Sequence, residues 1–158
     1  VVLRLHVSNA PNAIRRQFTL HRVLRDWGEG ESASMGGTGA PATPGDATWQ
    51  HASYPDLRWD SPGGDFDPAA SASLLVCDSG FEAWTGPGMT VDVRSWLAQP
   101  GANFGWLIQG EETGPGTARR FDSREADEPG SPPTLTVHYS ESRALRELTM
   151  GGLKVRYR

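Results

Sequence analysis

The sequence predicts an all-β fold: an antiparallel β-sandwich of jelly-roll type with one short helix. Three observations predict it. Short segments with strand-like patterning recur along the chain. Nineteen glycines and twelve prolines, about a fifth of the 158 residues, divide those segments with turn signals. One stretch alone, MTVDVRSWLAQPG (89–101), carries helical spacing.

The elements follow in order. VVLRLHV (1–7) alternates, with Leu3, Leu5 and Val7 on one face and Arg4 and His6 on the other. SNAPN is a turn. RQFTLHRVLRDW (16–27) is a second strand with weaker alternation, and a bulge or an exposed face would explain the mixture. Residues 28–46, rich in Gly, Ser, Thr and Pro, form a long loop of the kind that often carries function. ATWQHA is a short strand, and YPDLRWDSPGGDFD is turn-rich. ASASLLVCD and FEAWTG are strands around a DSG turn. Met89, Val93, Trp96 and Leu97 recur at helical spacing before Pro100-Gly101 ends the segment. FGWLIQG is apolar on both faces, as in a central, doubly covered strand. TARRFDS is a further strand, and PTLTVHY alternates with Leu135, Val137 and Tyr139 inward. The pattern gives one β-sandwich domain over residues 1–140, and a C-terminal extension over 141–158 with a strand at 152–158.

Composition excludes several classes. A net charge of −4 does not suit a nucleic-acid or anionic-membrane partner. No apolar run approaches the roughly 20 residues of a membrane span. Cys77 is the sole cysteine, so no disulfide forms within the chain. The histidines lack metal-ligand spacing, and G-x-S-x-G and phosphate-cradling loops are absent. Glu111, Asp122 and Glu125 are the nearest carboxylates for hydrolysis, but their spacing shows no convergence. The expectation is therefore not an enzyme.

Binding candidates are more numerous. Six tryptophans are many for this length. Trp96 and Trp106 fit core positions. Trp27, Trp49, Trp59 and Trp84 lie at strand ends or in loops, where indole faces could stack on sugar rings. Arg22, Arg25, Arg58 and Arg119 could pair with carboxylates of an acidic polysaccharide. Asp65 and Asp67 in PGGDFDPAA are a candidate Ca²⁺ pair, with a self-satisfied Asx turn as the preferred alternative; no cofactor is required. In RRFDSREADEPG (119–130), Asp122, Arg124 and Glu125 read as structural wiring, with the acids pairing to Arg120 and Arg124 or capping backbone amides.

Four motifs occur in order: FTLHRVLRDWGEGES, GDATWQHASYPDLRWDSPGGDFD, MTVDVRSWLAQPGANFGWLIQGEE and ARRFDSREADEPGSPPTLTVHY. Together they resemble the DNRLRE-domain proteins, grouped with the alginate-binding type of carbohydrate-binding module and with disaggregatase-related repeats. The resemblance implies a non-catalytic, secreted or cell-surface prokaryotic β-sandwich that binds polysaccharide or builds extracellular structure, beside other modules. Family members begin with further strands, which are missing before VVLRLHV. If the gap is filled by the tail or by another copy of the chain, the alternative is a surface-layer or filament subunit assembled by β-strand exchange. A polysaccharide-degrading enzyme is the least favoured reading.

Overall fold

A computed structural model describes residues 1–33, 39–128 and 130–140. The strands are β1 (Val2–Asn9), β2 (Arg16–Arg22), β3 (His51–Ser53), β4 (Leu57–Arg58), β5 (Ala72–Val76), β6 (Gly80–Thr85), β7 (Trp106–Gly110), β8 (Arg120–Phe121) and β9 (Thr134–Thr136). One α-helix, α1 (Pro87–Ala98), stands between β6 and β7. The extension at 141–158, with its expected strand at 152–158, lies outside the described residues.

All pairings between strands are antiparallel, and they form two main sheets. In the first, β1 pairs along one edge with β6, from Val2↔Thr85 to Val7↔Gly80. Its other edge is shared end to end by β9, at Val2–Arg4, and β8, at Val7 and Asn9. In the second, β2 is central between β5 and β7. A small hairpin, β3–β4, stands apart.

Alternation decides what the sheets bury. Leu5 and Val7 of β1 and Trp84 of β6 face Phe18 and Leu20 of β2 and Ala72 and Val76 of β5, with Met89 of α1 closing one end. Phe121 meets both Phe18 and Trp84 edge-on, at centroid distances of 5.6 and 5.8 Å, and so ties the two layers together. Each such side chain contributes about 1.5–3 kcal/mol through its burial.

Several expectations need correction. Trp84 sits inside β6 with 0% exposure, because its register opposite Leu3 points it inward; it has no face to offer a ligand. Among the described residues, β7 is at the edge of its sheet rather than central. Its apolar outer residue, Leu107, is covered instead by the loop that carries Gly64. The same loop explains the mixed pattern of β2. Segment 65–67 runs antiparallel to the end of β2, through Leu24 N–H to Asp65 O (2.8 Å) and Asp67 N–H to Arg22 O (2.9 Å). His21 is therefore buried on the outer face, donating from Nδ1 to Asp67 O at 2.9 Å. Leu97 points to solvent at 75% exposure, and the buried stripe of α1 is Met89, Asp92, Val93 and Trp96. Leu135, Val137 and Tyr139 are exposed rather than inward, Tyr139 at 84%, since β9 pairs with β1 over three residues only.

Candidate functional site: an aromatic hollow beside the second sheet

The chain leaving β2 builds the first wall. Asp26 Oδ1 accepts from the Trp27 amide at 3.0 Å, and the Trp27 indole N–H donates to Phe104 O at 2.9 Å. The second wall comes from Trp59, the residue that follows β4. Trp59 N–H donates to Gln50 O at 3.1 Å, and its indole N–H to Thr48 O at 2.9 Å. Trp106 and Leu107 of β7 and Val23 form the floor. Together they line a hollow of about 210 Å³, with Asp65 at its wall. Trp27 keeps 43% of its surface exposed there.

Trp49 stands next to this hollow at 72% exposure. Its carbonyl accepts from Gly63 N–H at 2.7 Å, and its ring lies over Gly63, where a Cβ would meet Trp49 Cη2 at 2.8 Å. Gly63 and Gly64 have φ of +98° and +119°, values that favour glycine. A second hollow, of about 430 Å³, lies between Trp49, Phe66 and Leu107. Leu107 thus lines both hollows.

The arginines are mostly committed to the protein itself. Arg25 Nη1 donates to Asp65 (3.0 Å), Asp60 (3.1 Å) and Arg58 O (3.2 Å). The Asp65 hydrogen bond leads the effects that raise the Arg25 pKa. Arg22 lies 3.3 Å from Asp67 and 3.7 Å from Asp92. Arg119 donates to the carbonyls of Asn12, Ile14, Cys77, Gly116, Thr117 and Ala118, which makes it a clamp on three chain segments rather than a ligand contact. Arg58 is exposed on β4 and has no ion-pair partner among the described residues.

The candidate Ca²⁺ pair is occupied in the same way. Asp65 accepts from the Asp60 and Ser61 amides at 3.1 and 3.0 Å, and from Arg25. Burial pushes its pKa up, but those amides and Arg25 outweigh burial and hold it low. Asp67 accepts from Ala69 N–H at 2.9 Å and from Arg22. The two carboxylates engage different arginines, and among the described residues no group of three or more metal-ligating side chains converges. Asp67, accepting from the amide two residues on, forms the Asx turn, whereas Asp65 is satisfied by amides four and five residues earlier and by Arg25.

In the charge cluster, Asp122 pairs with His6 at 2.7 Å rather than with Arg120, whose Nε donates to Ser8 Oγ. A carboxylate can only accept, so His6 Nδ1 carries the hydrogen. That bond is the main cause of the lowered Asp122 pKa. Arg124 bridges Glu125 and, at 3.0 Å, Glu29. These three side chains are exposed, so they wire the surface rather than a partly buried register.

Two acids escaped sequence reasoning. Buried Asp46 gathers the neck of the 28–46 loop, accepting from Thr43 N–H (2.6 Å), Thr43 Oγ1 (3.1 Å), Glu31 N–H (3.1 Å) and Ser32 N–H (3.3 Å). The Thr43 amide is the main cause of its lowered pKa. Its signal was the turn TPGD. Buried Asp92 accepts from Ser71 Oγ and, at 2.8 Å, from the Trp106 indole. It lies three residues after Met89 and four before Trp96, on the face the helical spacing already marks as buried. No family model, curated protein or solved structure matches this chain.

Proposed function

We propose that this domain is a non-catalytic module that binds polysaccharide through Trp27, Trp49 and Trp59, in a secreted or cell-surface setting. The observation that carries the reading is the placement of these three indoles, which sequence alone left scattered, around adjoining hollows on one side of the second sheet. The hydrogen bonds at Trp27 and Trp59 fix two rings in advance, so little side-chain entropy is lost when a sugar stacks on them. The nearest carboxylates, Asp60 and Asp65, are both held by Arg25, an arrangement suited to support rather than to proton transfer. The test is affinity electrophoresis in gels cast with a panel of polysaccharides. Retardation is expected on at least one, and Trp27→Ala and Trp59→Ala should each weaken it. Equal mobility on every gel, with the fold intact by circular dichroism, would end this reading.

A second reading, assembly of copies by strand addition, draws on β9, where Leu135, Val137 and Tyr139 are exposed beside a strand of three residues. Light scattering across a concentration series tests it: growth beyond the monomer supports assembly, and a constant monomer mass removes it.

A further inference from the structure

We infer that the aromatic hollow selects uncharged sugar rings and rejects uronates, an inference that rests on the polysaccharide-binding reading above. An anionic ring needs hydrogen-bond donors or cations where its carboxylate is buried, because an unpaired ionised carboxylate is costly to take from water. Among the described residues that line it, the hollow offers neither. All three of its indole N–H groups are already used: Trp27 on Phe104 O, Trp59 on Thr48 O and Trp106 on Asp92. The charge of the adjacent Arg25 is balanced by two carboxylates, Asp60 and Asp65, which it meets through Nη1. The exposed charges next in sequence to the wall residues Trp27 and Trp59 are Asp26 and Asp60, against Arg58 alone among the arginines proposed as contacts. Like charges there oppose an approaching polyanion.

A neutral pyranose meets no such penalty. Its C–H face lies on the indole faces. Its hydroxyls can donate to the Asp60 carboxylate, which is 88% exposed. At about 210 Å³ the first hollow is smaller than the roughly 300–1,000 Å³ of typical ligand clefts, so it takes a single ring. Trp49, across Gly63 and Gly64, stands where a neighbouring ring of the same chain would stack.

Isothermal calorimetry on the whole chain tests this with cellohexaose, mannohexaose and xylohexaose against hexamannuronate and hexagalacturonate. The expected result is binding of at least one neutral hexasaccharide and of neither uronate. The neutral affinity should fall roughly tenfold in Trp59→Ala and stay unchanged in Arg58→Ala. Uronate binding that weakens with salt and is lost in Arg58→Ala would overturn the neutral preference while leaving the polysaccharide reading standing. Binding of none of the five, by protein whose melting transition is intact, would overturn both.

Discussion

At the scale of single residues, Arg119 shows how much one side chain can organise. Its guanidinium reaches six backbone carbonyls from three segments, near residues 12–14, 77 and 116–118. A planar fork with five donors suits that task, and an ammonium on a flexible stem does not. Arg119→Lys should therefore destabilise the fold by about 2 kcal/mol in denaturant titration, while saccharide binding per folded molecule stays unchanged. A loss of binding at full stability would return Arg119 to the ligand face. From sequence, an arginine beside a strand offers no clue to whether it will meet carboxylates or carbonyls, because the choice depends on loops brought together from more than 100 residues apart.

At the scale of elements, α1 is held to the second sheet by a polar knot within an apolar seam. Asp92 joins Ser71 before β5, Trp106 of β7 and Arg22 of β2. Removing it leaves two donors and a guanidinium facing a cavity, so Asp92→Ala should cost about 3 kcal/mol by thermal or chemical denaturation. Asp92→Asn keeps an acceptor oxygen and should cost less than half as much. The helix itself was legible, since Met89, Val93 and Trp96 mark its buried stripe and Pro100 its stop. Leu97 misled because the spacing permits it on the stripe's edge, where it stays 75% exposed. β1 was legible from alternation for the residues it buries, whereas β6 was legible as a strand but its buried Trp84 was not. β9 was not, because alternation states which residues share a face but not whether anything lies opposite that face.

At the scale of the whole molecule, three acids in separate places share one behaviour. Asp122 is held below the ordinary aspartate range chiefly by His6, and Asp46 chiefly by the Thr43 amide. At Asp65 burial opposes the shift, but backbone amides and Arg25 prevail. A carboxylate with a lowered folded pKa adds stability above its unfolded value, about 4, and loses that contribution as pH falls through the folded value. The melting temperature should consequently be flat above about pH 5 and decline steeply below about pH 4. Asp122→Asn should make that acid limb shallower; an unchanged limb would mean the His6 pair adds nothing. The antiparallel all-β class with one helix was readable because pattern and turn chemistry agree along the chain. The site was readable only as a list of tryptophans. Their convergence depends on the segment 59–67 laying itself over β2 and β7, and periodicity does not encode a loop's path.

The pairing of β1 also imposes an order on how the molecule is made. The second sheet has all three of its strands once residue 110 has left the ribosome. The first sheet is built around β1, which must wait for β6, then β8, and finally for residues 134–136 before both its edges are paired. Among the described strands, β1 is therefore the first made and the last to be completed, and until then its exposed edge is what a nascent chain would have to keep from pairing with a stranger.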